Sequence, residues 1–462
     1  MSLQSSGGHR PSASPRPAGP PRSGGWLSDL LRFRTSRKRA ISRMEEAFEN
    51  GNSARAIALL KKLAAAGETE AQLRLGQCFV EGQGVVRNVP DAVVWLRRAA
   101  EAGHAEAQRL LANILLHGSA GLSRTYAPDT WYGQAADAAA QANRDLLFPT
   151  GIEVPKNAEE GLRWMESSAE GGNALAQVNM ARFYLNGHGV PRDPERALAL
   201  LKTSAGADCV EAHRTLGTLY IQGQVVERSE ADAIKHLRTA AEHGHLEAMS
   251  EVALLYLSAA EPLRDPSEAA KWFQRAVERH HAPSMINLAN LYATGQGVQA
   301  DMGRVIALLA KAARKGSAIA QWRLGVLYEK GQVVEQDLYE ASIWFQKAAE
   351  QGYAPAQFDL GLFFYRGRAM KADPFQAVEW LEKAALQGHV EAAINLGLII
   401  GRGRVGAPDL ERAKHWLDYA WERAQPVHRA GLTRCYGEFG LAAPEGEVDA
   451  QAPAPAEQNV EG

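Results

Sequence analysis

Residues 320–355 read AQWRLGVLYEKGQVVEQDLYEASIWFQKAAEQGYAP, and Ala356 opens the same pattern again. The small opening residue recurs at Ala71, Ala107, Ala176, Ala212, Ala248, Ser284, Ala320, Ala356 and Ala392. Seven of the eight intervals are 36 residues; the interval from Ala107 to Ala176 is 69, which is 33 longer. A period of about 20 to 50 residues marks a stack of small units that bury a face only against their neighbours. Such a chain presents a surface for binding rather than a pocket for catalysis.

Each unit reads as two helices. With the opening residue counted as 0, positions +4, +7 and +8 are apolar, as in Leu360, Phe363 and Phe364 or Leu396, Ile399 and Ile400. At 100° per residue they share one face of an amphipathic helix, helix A. Position +5 is Gly or Ala in every copy, which lets a second helix come close. Position +11 is Gly in eight of nine copies, placed to end helix A in a left-handed conformation. Helix B carries Ala near +21 and an aromatic at the +24 spacing: Trp95, Trp131, Trp164, Trp272, Trp344, Trp380 and Trp416. A Trp at a fixed place in every unit is expected to be core packing between helices. Half-units flank the array, with Ala56, Leu60 and Ala64 before it and Leu432, Cys435 and Tyr436 after it.

The run Ala320-Gln321, Leu324-Gly325, Leu327-Tyr328, Gly331, Ala341, Trp344-Phe345, Lys347-Ala348-Ala349 and Gly352 resembles the Sel-one-like repeat, a relative of the tetratricopeptide repeat. The resemblance covers about three quarters of the chain. It implies an all-α fold: a right-handed superhelical solenoid of about nine 36-residue helix pairs with terminal half-repeats. It also implies a non-catalytic adaptor that gathers protein partners, in bacteria often for envelope biogenesis, signalling or host interaction. A secreted branch of that family carries a cysteine pair in each repeat; Cys78, Cys209 and Cys435 do not follow that pattern.

The net charge of −2 gives no whole-surface attraction to nucleic acid, and no nucleic-acid partner is expected. The charge is polarised, however: residues 1–43 carry +8 and residues 441–462 carry −5. Residues 1–40, rich in Pro, Ser, Gly and Arg, and the acidic residues 441–462 are expected to be disordered tails around a repeat domain at 41–440. Trp26, Leu30, Leu31 and Phe33 beside the basic run Arg34 to Arg39 suggest weak contact with a membrane surface. They support an alternative reading, a regulatory subunit attached to a membrane-associated envelope or exopolysaccharide machine. No apolar run approaches the roughly 18 residues of a membrane span, and a cytoplasmic location is expected.

Nothing in the chain points to catalysis. Ser-x-x-Lys and Gly-x-Ser-x-Gly are absent from the sequence, and the Gly-x-Gly turns follow helices rather than strands. Cys209, His245 and His281 share one unit position, but two helices separate successive copies, so they are expected to be turn residues and not metal ligands. No cofactor, metal or small-molecule substrate is expected.

The candidate site lies on the variable face of helix A, at positions +2, +6 and +9. In the last four copies this face turns apolar: Ile286, Trp322, Phe358 and Ile394 at +2, with Val326, Leu362 and Leu398 at +6. The expectation is a continuous stripe along the concave groove that receives a partner helix or peptide. The 33-residue insertion between Gly118 and Gly151 holds Tyr126, Trp131 and Tyr132, a second candidate binding element, with a degenerate copy as the alternative.

Overall fold

The computed structural model describes residues 42–48, 50–125 and 154–444. The chain divides into two compact units, Met1–Ala212 and His213–Gly462. Among the described residues every regular element is helical, and nine A–B pairs follow the 36-residue ruler. The first unit holds Ser53–Ala65 and the pairs Thr69–Glu81 with Val89–Glu101, Ala105–Thr125 with Ala158–Glu170, and Ala174–Asn186 with Pro194–Gly206. In the second, the pairs run from Val210–Gln222 with Glu230–Glu242 to Val390–Gly401 with Leu410–Arg423, and Pro426–Glu438 closes the array. The fold is an all-α solenoid of helix pairs.

The pairs form because each A–B turn is closed in the same way. The residue at +17, or at +50 in the copy that holds the 33-residue insertion, caps helix B: Asn88, Asn157, Asp193, Ser229, Asp265, Asp301, Asp337, Asp373 and Asp409 each accept a backbone N–H of the first turn. Such caps contribute about 1 kcal/mol each. The backbone N–H of the capping residue donates to the carbonyl at +8 of helix A, from Asn88 to Phe79 at 2.9 Å through Asp409 to Ile400 at 3.3 Å. At +11, Gly82, Gly187, Gly295, Gly331 and Gly367 end helix A with φ between 63° and 75°, where a side chain would be strained.

The small residue at +5 meets position +25 of helix B. A Cβ added to Gly76 would lie 2.6 Å from Leu96 Cγ, and one added to Gly325 would lie 2.7 Å from the Phe345 ring. Position +25 is the core column: Leu96, Met165, Leu201, Leu237, Phe273, Leu309, Phe345, Leu381 and Leu417 are all buried. This corrects the expectation for the tryptophans. Trp272 and Trp416 are buried, but Trp95, Trp164, Trp344 and Trp380 are only half-buried. A cation one turn on lies over several rings, Lys347 over Trp344 at 4.4 Å and Lys383 over Trp380 at 4.2 Å. These tryptophans sit at the rim of the core and shield it.

Successive pairs are joined by a second recurring device. Buried Gln72, Gln108, Gln177, Gln321 and Gln357, at +1, donate from Nε2 to the Ala64, Ala100, Ala169, Ala313 and Ala349 carbonyls at 3.0–3.2 Å. Each of these carbonyls, at the end of the preceding B helix, already accepts the N–H of the glycine three residues on, and the glutamine adds a second donor that ties the next helix to it.

The long interval is explained by the same turn. Asn157 donates its N–H to the Leu115 carbonyl at 2.8 Å, and Gly118 takes φ 70°. The insertion therefore lies inside the A–B turn of the second pair, and Trp164, not Trp131, occupies the +24 place of its B helix. At the C-terminus the packed chain extends past 440: Leu441 donates to the Tyr436 carbonyl at 3.0 Å, and Leu441 and Ala443 pack on the last core cluster.

Candidate interaction surface

The seven candidate groove residues do not form one exposed stripe. Ile286, Phe358, Leu362 and Leu398 are buried, each at 9% exposure or less. Trp322, Val326 and Ile394 are half-buried. The stripe fails as a continuous surface because neighbouring elements cover it. Phe358 and Leu362 belong to the core cluster of the last repeats, and the His389 ring stacks on Phe358 at 4.6 Å. Trp26, Leu30, Leu31 and Phe33, and the insertion residues Tyr126, Trp131 and Tyr132, lie outside the described residues.

Trp322 and Val326 remain together at an open cleft of about 380 Å³. Its walls come from three helices of the second unit. Ala282–Thr294 supplies Ala289 and Ala293, Met302–Arg314 supplies Met302, Val305 and Leu309, and Ala318–Lys330 supplies Trp322, Val326 and Leu327. Asn290 and Arg323 form its polar lip, where the Arg323 guanidinium donates to the Asn290 side-chain oxygen. Val305 and Leu309 form a buried floor.

Trp322 is held from the neighbouring A helix. Its indole N–H donates to Asp359 Oδ2 at 2.6 Å, and its ring meets Tyr353 edge-on at 5.8 Å. Asp359 is the neighbour of Trp322 that the apolar pattern did not reveal. Burial pushes its carboxyl up to about 7, against the Trp322 N–H, which favours the charged form. Glu329 also raises it, while Lys330 and Arg366 lower it. Glu329 is itself bridged to Arg368 at 2.9 Å.

The Trp322–Asp359 contact is one rung of a wider pattern. Position +2 of one A helix reaches +3 of the next, 37 residues on; Arg214 likewise donates to Glu251 at 2.8 Å. The signal was present in the sequence as complementary polar residues 37 apart, but it is visible only once the A helices are known to be neighbours. Leu254, at +6 in an intermediate copy, is 46% exposed, so the exposed apolar surface of this face extends beyond the last four repeats. None of the helices among the described residues is long and apolar enough to cross a membrane.

Comparisons with known proteins agree with this architecture. No curated protein matches the chain. A solved structure from uropathogenic Escherichia coli, the protective antigen c5321 with an SLR fold, is 25% identical with a TM-score of 0.60. The match covers 84% of this chain and 76% of that one. A Sel1 repeat protein from Oxalobacter formigenes is 28% identical over 72% of this chain and 87% of its own, with a TM-score of 0.51. The Sel1 repeat pattern matches residues 69–104, 105–125, 149–173, 174–208, 210–245, 246–281, 282–317, 318–353, 354–389 and 390–421. The matches at 105–125 and 149–173 are the two halves of the pair that the insertion separates. Over most of its length, then, the chain is built from these repeats, and it belongs to the Sel1 repeat family.

Proposed function

We propose that the chain is a non-catalytic protein-interaction scaffold, and that the cleft beside Trp322 and Val326 takes an apolar side chain carried on a helix or extended segment of a protein partner. The observation that supports this most is the cleft itself, an open apolar hollow on an A-helix face with a buried floor and an Arg–Asn lip. A cleft of this size suits one large side chain, and an aromatic wall held by a hydrogen bond is the kind of preorganised anchor that dominates interface energies. Phe358, Leu362 and Leu398 support the face from beneath rather than touching the partner. The family's solved members are repeat proteins of the same build, which agrees with a scaffold.

The test is site-specific photocrosslinking in the source cell. A photoreactive residue at Val326 is expected to capture a defined protein, with the crosslink mapped to an apolar residue of one segment. The same probe at Tyr339 or Phe375, exposed on B helices, is expected not to capture it. Trp322→Ala is expected to abolish the Val326 crosslink while the circular dichroism is unchanged. Capture from the B-helix positions alone, or a Val326 crosslink indifferent to Trp322→Ala, overturns the proposal.

A further inference from the structure

Histidine recurs at one structural position, the N-cap of helix A. The Nδ1 atoms of His104, His245 and His389 accept the N–H of Ala107, Ala248 and Ala392 at 3.4, 3.3 and 3.3 Å. A histidine accepts through Nδ1 only when that nitrogen carries no proton, so these caps require the neutral imidazole with its hydrogen on Nε2. At His104 this tautomer is reinforced, because Nε2 lies 3.3 Å from Glu70 Oε2. Other A helices of the same chain use caps that protons do not affect in this range, Asn173 on Ala176 and Ser317 on Ala320.

At His389 the same nitrogen has a second partner within reach. Nδ1 lies 3.3 Å from the Ala392 nitrogen, a donor, and 3.4 Å from Glu391 Oε2, an acceptor. His245 repeats the arrangement, with Glu247 Oε2 at 3.2 Å from its Nδ1. One nitrogen between a donor and an acceptor can serve only one of them, and its proton decides which.

We propose that His389 is a proton-operated cap: neutral, its Nδ1 holds the Ala392 N–H at the start of Val390–Gly401; protonated, Nδ1–H turns to the Glu391 carboxylate and releases that N–H. The exchange adds one proton to the imidazole and breaks no covalent bond. Its consequence reaches the A-helix face, because the His389 ring is stacked on Phe358 at 4.6 Å and 24°. Turning the ring toward Glu391 alters that stacking, and Phe358 adjoins Asp359, which holds Trp322.

The titratable and charged groups on the helices packed around Val390–Gly401 are Asp359 and Arg366 on Ala354–Arg366; Glu379, Glu382 and Lys383 on Pro374–Leu386; and Glu411, Arg412, Lys414, His415, Asp418, Glu422 and Arg423 on Leu410–Arg423. Glu391 on its own helix is the charged group that acts on His389, and it favours the protonated ring. Burial acts more strongly the other way and lowers the His389 value below the ordinary 6.5. A positive charge at a helix N-terminus is also disfavoured by the helix dipole. The cap is therefore closed at neutral pH and opens on acidification below the usual histidine range.

The test uses the full chain with labelled histidine and alanine, followed by NMR from pH 7.5 to 5. At pH 7.5 His389 is expected in the Nε2–H tautomer, and the Ala392 amide resonance is expected to shift with the His389 titration. His389→Asn keeps a cap of the kind Asn173 provides but cannot titrate. Its melting temperature is expected to match the wild type at pH 7.5 and to fall less on acidification, a comparison in which all other titrating groups cancel. An Nδ1–H tautomer at pH 7.5, or an Ala392 amide that ignores the His389 titration, overturns the proposal. So does a pH profile of His389→Asn that superimposes on the wild type.

Discussion

Asp359→Asn is the substitution whose effect follows most directly from the structure. Asn is nearly isosteric, and its Oδ1 can still accept the Trp322 indole N–H, now held at 2.6 Å by the carboxylate. The wild-type carboxyl is raised from 3.8 to about 7 by burial. Below about pH 3 both the folded and unfolded chains carry a neutral acid, so wild type and variant are expected to be alike. Between pH 4 and 7 the folded chain binds the proton that the unfolded chain has released. Wild-type stability therefore falls as pH rises across that window and levels off above it. A rise of about 3 units corresponds to at most about 4 kcal/mol at about 1.36 kcal/mol per unit. Relaxation and water access around the half-buried side chain bring the expected gain for Asn at pH 8 nearer about 2 kcal/mol. A repeat array opens locally, so the assay is native-state hydrogen exchange in Ala318–Lys330 and Ala354–Arg366, read as the ratio of variant to wild-type protection. That ratio is expected to rise from pH 5 to pH 8. A constant ratio, or an Asp359 carboxyl that titrates near 4 by NMR, would refute the reasoning.

Three further substitutions probe the scaffold. Gln357→Leu removes the contacts to the Ala349 carbonyl and the Gln387 side-chain amide at 3.1 and 2.7 Å; since each keeps a second partner, the Gly352 N–H and the Lys383 carbonyl, the cost is expected to be about 0.5–1.5 kcal/mol, measured by urea denaturation. Gly325→Ala places a Cβ 2.7 Å from the Phe345 ring and 3.3 Å from the Ala341 carbonyl; the overpacking, about 1–3 kcal/mol, is expected to outweigh the gain in helix propensity of about 1 kcal/mol. Gly437→Ala, with nothing within 4 Å of the added Cβ, is expected to go the other way and raise the melting temperature. Excising residues 120–152 restores the six-residue step from glycine to N-cap found at Gly82 and Asn88. The helix pair around Met165 is expected to survive, and a loss of helical circular dichroism beyond that of the excised residues counts against this placement of the insertion.

The period made the packing columns legible, because a residue that must be small or apolar in every copy reveals itself by recurrence. The glycine at +11 and the small residue at +5 act within one pair, so their roles could be read from a single unit. The tryptophans were harder: +24 and +25 are consecutive, about 100° apart around helix B, and only the direction of helix A shows that Leu381 enters the core while Trp380 stops at its rim. The candidate surface was harder still, because apolarity says that a face is covered but not by what. Phe358 and Trp322 occupy the same position in adjacent copies and carry similar aromatic side chains. One is buried beneath His389; the other borders an open cleft because its partner, Asp359, draws the indole N–H toward the neighbouring helix. That difference arises from residues 31 and 37 positions further along the chain, in another repeat. A ruler of 36 aligns equivalent residues, whereas contacts between repeats join residues that are not equivalent. In such an array these offset pairs distinguish one stretch of surface from the next, and substitutions at Asp359 or His389 are expected to alter the face around Trp322 more than substitutions in the regular columns that define the fold.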